Sequence, residues 1–155
     1  LGYNFSLLKE VENINRIQKE RFIKKIRETL WILQDKTIAA LGLSFKPNTD
    51  DVRLSPAIEI IERLTKEGAK IKAYDPKATE KAKSILSNVT FCEDAYETAR
   101  DAEALIILTE WDEFKTLDLE KIKTLLVHPI IIDGRNMFDP LTMTQNGFIY
   151  KSIGR

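Results

Sequence analysis

Apolar residues in the first part of the chain recur at spacings of three and four, with Lys, Arg and Glu between them. This is the period of one face of an α-helix. The apolar positions are Leu7, Leu8, Val11, Ile14, Ile17, Phe22, Ile23, Ile26 and Leu30. We therefore expect a helix over residues 6–33, about 40 Å long. Such a helix exceeds the width of a small domain, so a second body, either another domain or a second copy, is expected to cover its apolar face.

Short apolar runs then alternate with amphipathic segments. The predicted strands are residues 36–43, 70–76, 89–92, 102–108, 129–134 and part of 147–154. The predicted helices are residues 55–68, 77–86, 94–102 and 118–126. This alternation predicts an α/β fold with a doubly wound parallel sheet, helices on both faces and a long N-terminal helix before it. We divide the chain into that helix, residues 1–34, and the sheet domain, residues 35–155.

The helix at residues 55–68 carries signals at both ends. Ser55 is a typical N-cap, Pro56 suits the first helical position and Gly68 suits the C-terminal stop.

Composition narrows the possible functions. The 155 residues include 24 basic and 24 acidic residues, and this balance argues against binding to nucleic acid or to a membrane surface. No apolar stretch reaches the roughly 20 residues of a membrane span. Cys92 is the single cysteine, which excludes an internal disulfide and favours the reducing cytoplasm. The chain begins with Leu1 rather than Met, so we interpret it as a fragment or a processed chain.

A ligand site is expected beyond the carboxyl ends of the strands, where the strand order reverses. Three segments should meet there: residues 44–53, 109–111 and 133–136. The first follows Gly42, yet it lacks the further glycines of a dinucleotide-binding fingerprint. Asp75 has the place of a ribose-binding acid, but in "YDP" it is better interpreted as a turn and helix cap.

Residues 44–53 contain charges that permit two interpretations. Lys46 and Arg53 can bind phosphate, or they can pair locally with Asp50 and Asp51. Phe45 can stack on a base or sugar, or it can pack the loop onto the core.

Arg135 follows an apolar strand and either binds a ligand or is solvated or paired, with Asp133 as a candidate to orient it. Trp111 and Phe114 are expected to cover the sheet edge. We predict no catalytic role for Cys92, because neighbouring acids would raise the pKa of its thiol. His128 is the only histidine, and without a second ligand nearby we predict no metal site.

Several motifs together resemble the C-terminal domain of the UDP-glucose/GDP-mannose dehydrogenase family. They are "GLSFKPNTDDVRLSPA", "YDP", "ILTEWDEF", "DGRNMFDP" and the closing "FIYKSIGR". The opening "LLKEVENINRIQKERF" is similar to the family's central dimerisation helix. The resemblance implies a Rossmann-like sheet that binds the nucleotide end of a sugar nucleotide. It also implies a homodimer joined through the N-terminal helix.

The complete enzymes of this family oxidise the sugar C6 from alcohol to acid, with NAD bound by a separate N-terminal domain and a catalytic Cys that forms a thioester. The resemblance places substrate contacts at Phe45, Lys46 and Arg135, the last either in its own subunit or across the dimer interface. Its loop-shaping positions are Asn48, Thr49, Asp50, Asp51, Arg53 and Ser55.

The chain lacks both the NAD domain and the catalytic Cys segment of that family, and Cys92 does not match the latter. We therefore predict a UDP-sugar-binding domain of an NAD-dependent UDP-glucose 6-dehydrogenase, inactive alone and without a cofactor of its own. The alternatives are a GDP-mannose or UDP-N-acetylhexosamine 6-dehydrogenase domain, or a non-catalytic dimerisation module. A stand-alone NAD-binding domain is a further rival.

Overall fold

A six-stranded parallel sheet forms the centre of the molecule, in a computed structural model that describes residues 6–154. The strands are β1 (Thr37–Leu41), β2 (Lys70–Tyr74), β3 (Val89–Phe91), β4 (Ala104–Ile107), β5 (Ile130–Asp133) and β6 (Ile149–Ser152). The helices are α1 (Ser6–Leu30), α2 (Pro56–Lys66), α3 (Thr79–Lys83), α4 (Ala95–Ala99), α5 (Asp112–Lys115), α6 (Leu119–Leu125) and α7 (Pro140–Gln145).

The strand order is β3-β2-β1-β4-β5-β6. In this order β1 pairs with β2 on one side and with β4 on the other. The order reverses between β1 and β4, and in doubly wound sheets a ligand crevice opens at this point. The predicted fold class is therefore confirmed, including the weak strands β3 and β6.

Two apolar layers cover the two faces of the sheet. Ile38 and Ala40 of β1 join the layer formed with α1, α2 and α3, whereas Ala39 and Leu41 join the layer formed with α4, α5, α6 and α7. Successive residues of a strand point to opposite faces, so a strand buried on both faces is apolar at consecutive positions. Each isoleucine or leucine buried in this way contributes about 1.5–3 kcal/mol.

The long helix α1 is shorter than predicted and belongs partly to this core. It ends at Leu30, because Trp31 leaves the helical conformation with a φ of 64°. Leu33 is nevertheless buried, so the spacing of apolar residues continues beyond the last helical residue. This is why the predicted helix was too long. Phe22 and Ile26 pack in the same layer as α2. The boundary between residues 34 and 35 stays a prediction.

The ends of α2 match their sequence signals, whereas two short helices have no counterpart among our predictions. The Oγ of Ser55 accepts a hydrogen bond from the Ala57 N–H at 3.3 Å, and Gly68 has a φ of 90°. We did not predict α5 or α7, although Asp139 caps α7 and Pro140 begins it. None of the helices in residues 6–154 combines the length and apolar character needed to cross a bilayer.

Candidate functional site

The predicted segments meet at the carboxyl edge of the sheet. Thr109 donates its hydroxyl to the Ser44 carbonyl at 2.7 Å, and the Gly134 N–H donates to the Ile107 carbonyl at 2.9 Å. These bonds join the ends of β1, β4 and β5, so the expected convergence is confirmed. The end of β2 also takes part, because the Gly42 N–H donates to the Tyr74 carbonyl at 2.9 Å.

Asp75 is the centre of this edge, and its side chain is buried. Its Oδ2 accepts hydrogen bonds from the Leu43 N–H at 2.7 Å, from the Ser44 N–H and hydroxyl at 3.0 and 3.1 Å, and from the Trp111 indole at 3.1 Å. Its Oδ1 accepts from the Lys77 and Ala78 N–H groups at 2.9 and 2.7 Å. Asp75 therefore holds together the chain segments that follow β1, β2 and β4.

This arrangement supports the turn interpretation of Asp75. A carboxylate offers about four lone-pair sites, and the donors of the protein already fill them. A buried and saturated carboxylate at this position does not fit the ribose of a dinucleotide, which would need a free acid. The residues at this edge thus do not match the way in which a Rossmann domain binds NAD.

The loop after β1 exposes the two side chains that we predicted as ligand contacts. Phe45 is 50% exposed, while its backbone N–H donates to the Asp51 carbonyl at 2.8 Å. Lys46 is exposed, and within residues 6–154 no hydrogen bond or ion pair of its ammonium group is found. The alternative in which Lys46 pairs with Asp50 or Asp51 is therefore wrong.

Both of these acids have other partners. Asp51 binds the Arg53 guanidinium through Nε and Nη2 at 3.0 and 2.9 Å, and these bonds lower the pKa of Asp51 to about 2. Asp50 instead pairs with Lys81 of α3 at 2.8 Å, a partner that we did not foresee.

Local interactions determine the conformation of the rest of the loop. Thr49 accepts from the Asp51 N–H at 3.2 Å, and Asn48 adopts a positive φ of 63°. A shallow depression beside them is also lined by Lys77, an exposed lysine that we did not single out.

The loop after β5 has a similar buried carboxylate. Asp133 is fully buried and accepts from the backbone N–H groups of Arg135 and Met137, both at 2.7 Å, and from the Tyr150 hydroxyl at 2.7 Å. Asp133 thus positions the backbone of Arg135, whereas the guanidinium group of Arg135 has a different partner. We expected Asp133 to orient Arg135, and it does so only through the main chain.

The guanidinium of Arg135 pairs with Glu110, which our sequence predictions missed as a functional residue. Arg135 Nε and Nη2 each donate to one carboxylate oxygen, the second at 2.6 Å. Burial alone would raise the pKa of Glu110, but the bonds from Arg135 and from its own N–H lower it below its usual range. Glu110 lies in the "TEW" segment already assigned to the site, so the sequence contained a signal for it.

The remaining candidates have structural environments. Trp111 and Phe114 are buried in the core, which confirms that they cover the sheet edge. Cys92 is buried, and desolvation rather than the neighbouring acids is the largest cause of its raised pKa. His128 lies 3.4 Å from Glu103 at the surface. Among residues 6–154 no three His, Cys, Asp or Glu side chains are grouped as metal ligands.

Comparison with known proteins identifies relatives over most of the chain. Residues 39–140 match the model of the UDP-glucose/GDP-mannose dehydrogenase family, UDP binding domain. UDP-glucose 6-dehydrogenase TuaD of Bacillus subtilis is 45% identical over 155 residues, which are 99% of this chain and 34% of that protein. The UDP-glucose 6-dehydrogenase of Rhizobium meliloti is 42% identical over 79% of this chain and 28% of its own length. The chain thus spans about a third of these relatives.

Solved structures agree. A UDP-glucose dehydrogenase from Pyrobaculum islandicum superposes with a TM-score of 0.77 at 32% identity, over 92% of this chain and 31% of that one. A UDP-D-ManNAc dehydrogenase from Pyrococcus horikoshii gives a TM-score of 0.76 at 29% identity, over 99% of this chain and 34% of that one.

Proposed function

Because the chain belongs to the UDP-glucose/GDP-mannose dehydrogenase family, we propose that it binds the nucleotide end of a sugar nucleotide within a longer NAD-dependent 6-dehydrogenase. The observation that carries this proposal is the pair of cation-bearing loops at the carboxyl edge of the sheet, after β1 and β5. Lys46 is exposed on one loop and Arg135 on the other. A diphosphate is an anion that such cations recognise.

Each side chain has a distinct task in this proposal. Lys46 supplies a compact charge for a phosphate oxygen, and such charge-assisted bonds contribute about 1.5–3 kcal/mol each. Phe45 offers its exposed ring face to the base or the sugar. Arg135 binds a second anionic or hydroxyl group through its remaining N–H donors. Asp51 and Arg53 keep the loop in shape.

The whole protein would oxidise the sugar C6 alcohol to the acid, and this chain would supply binding rather than chemistry. Since the Asp75 edge does not fit a dinucleotide, we assign NAD to a part of the protein outside these residues. UDP-glucose is our first choice of substrate, because the relatives with 45% and 42% identity carry that name. UDP-N-acetylhexosamines and GDP-mannose are the alternatives. We further propose a cytoplasmic location, consistent with the buried thiol of Cys92.

Calorimetry of the purified chain with UDP, GDP and UDP-glucose tests this proposal. Part of a site should bind weakly, roughly in the millimolar range, with UDP and UDP-glucose favoured over GDP. Lys46→Ala should weaken UDP binding about tenfold. The matched control is Lys66→Ala, an exposed lysine at the end of α2. Equal affinity of the wild type and Lys46→Ala would remove Lys46 from the site.

A second role, as a dimerisation module, rests on α1. From Lys19 onward this helix is tied to α2 by three ion pairs: Lys19–Glu59, Glu20–Arg63 and Arg27–Glu67. Nearer its start, Val11 and Ile14 are 48% and 49% exposed. We propose that a second copy covers these side chains. Sedimentation should show that the wild type is a dimer and that the double variant Val11→Lys, Ile14→Lys is a monomer. A wild type that stays monomeric at high concentration would contradict this role.

A further inference from the structure

Glu110 occupies a position that its two neighbours determine. Thr109 is buried and donates its hydroxyl to the Ser44 carbonyl at 2.7 Å. Trp111 is buried on the other side, and its indole N–H donates to Ser44 and Asp75, at 3.1 Å in both cases. A residue between two anchored neighbours has little freedom in its main chain. The main chain thus fixes where the Glu110 side chain starts, and the pair with Arg135 holds its carboxylate.

The pair that Glu110 makes with Arg135 uses only one edge of the guanidinium group. Nε and Nη2 each donate to one oxygen of Glu110. A guanidinium carries five N–H donors in a rigid plane, so both Nη1 hydrogens and one Nη2 hydrogen stay available. The two side chains are about one-third exposed, at 36% for Arg135 and 34% for Glu110. The pair is thus open to solvent, or to a ligand in its place.

We propose that Glu110 is a positioning residue for Arg135, which it holds so that the unused guanidinium edge faces the diphosphate of the nucleotide sugar. This inference rests on the function proposed above. An arginine that is already held loses less side-chain freedom when it binds a ligand. The charge of the carboxylate acts in the opposite direction, because it repels an anion. A lower affinity after removal of Glu110 therefore shows that positioning dominates, and a higher affinity shows that repulsion dominates.

The chain provides a matched control with the same geometry. Arg27 also uses Nε and Nη2 to bind both oxygens of one carboxylate, that of Glu67. This pair joins the C-terminal ends of α1 and α2, away from the residues that follow β1, β4 and β5. Loss of Glu67 should thus resemble loss of Glu110 in its effect on folding but not in its effect on ligand binding.

The experiment is a double-mutant cycle in the intact protein that carries this chain, with UDP as the ligand in calorimetry. Glu110→Ala and Arg135→Ala should each raise the Kd of UDP about tenfold. The double variant should bind no more weakly than Arg135→Ala alone, because Glu110 acts through Arg135. Glu110→Gln keeps one acceptor and should recover part of the affinity. Glu67→Ala should leave the Kd unchanged, and thermal denaturation of each variant measures its folding.

Separate results overturn separate claims. If Glu110→Ala binds UDP as tightly as the wild type or more tightly, while Arg135→Ala binds weakly, the positioning role is rejected. The proposed function is then unaffected. Additive losses in the double variant reject it as well. An Arg135→Ala variant that binds UDP like the wild type removes Arg135 from the site, and the positioning role fails with it. An intact wild-type protein that does not bind UDP rejects the proposed function and the inference together.

Discussion

The loops after β1 and after β5 each present a cation at the carboxyl edge of the sheet, but they hold that cation differently. Each leaves a buried strand end and carries a cation, and each is anchored by a buried carboxylate, Asp75 for the first and Asp133 for the second. The cations differ, since Lys46 has no partner within residues 6–154 whereas Arg135 is held by Glu110. A free lysine must be ordered when a ligand binds, while the arginine is ordered beforehand.

The anchors differ as well. Asp75 collects donors from the segments that follow three different strands, β1, β2 and β4. Asp133 collects them from its own loop and from Tyr150 of β6. The first loop should therefore depend on the assembled sheet, and the second on a mainly local set of bonds.

The largest effect should come from Asp75→Ala, which leaves buried N–H donors without an acceptor. Because unsatisfied buried donors cost about 1–3 kcal/mol each, we expect a loss of about 3–4 kcal/mol in the free energy of unfolding. Urea denaturation measures it. Asp94→Ala is the control, since Asp94 is an exposed N-cap with one bond to the Glu97 N–H, worth about 1 kcal/mol. Equal losses would show that Asp75 is no more than a surface cap.

Gly42→Ala should follow, at about 2–3 kcal/mol. Gly42 has a φ of 90°, and a Cβ there would lie 2.6 Å from both the backbone N and the Cβ of Thr109. The control is Gly147→Ala, where φ is 82° but the nearest atom is the Lys123 Nζ at 3.9 Å; backbone strain alone should cost about 1 kcal/mol. If the two variants unfold at the same urea concentration, the close approach of β1 and β4 is not the constraint.

Tyr150→Phe tests the second anchor with less disturbance. It removes the hydroxyl that donates to Asp133 at 2.7 Å and keeps the ring. A hydrogen bond to a charged group contributes about 1.5 kcal/mol, so we expect a loss of that size in chemical denaturation. Nuclear magnetic resonance shifts should change at Arg135 and Met137, whose N–H groups share this carboxylate. Unchanged shifts there would contradict a shared anchor.

The smallest effect concerns pH. The pKa of Asp51 is about 2 in the folded chain, below its unperturbed value of about 3.9. The pair with Arg53 therefore stabilises the loop above about pH 4 and is lost as the pH falls through about 2. Carboxyl resonances should titrate accordingly, and Arg53→Ala should return the Asp51 midpoint towards 3.9. A midpoint that does not move would assign the shift to another group.

Much of the fold was predictable because its signals are local. The hydrophobic pattern indicated the strands. The boundaries of α2 were indicated by Ser55, Pro56 and Gly68. The short helices α5 and α7 were not predicted, since four and six residues are too few to show a helical period. The extent of α1 was overestimated, because Leu33 is buried from the turn after the helix.

The sequence by itself determined which charges follow which strand, and so it indicated Lys46 and Arg135. Only the tertiary structure decided their partners. Glu110 is 25 residues from Arg135, and Trp111 is 36 residues from Asp75. Such pairs form only when the strand order β2-β1-β4-β5 brings the strand ends together. Hydrophobic periodicity encodes each element separately, whereas side-chain pairing across strand ends depends on how the assembled elements pack.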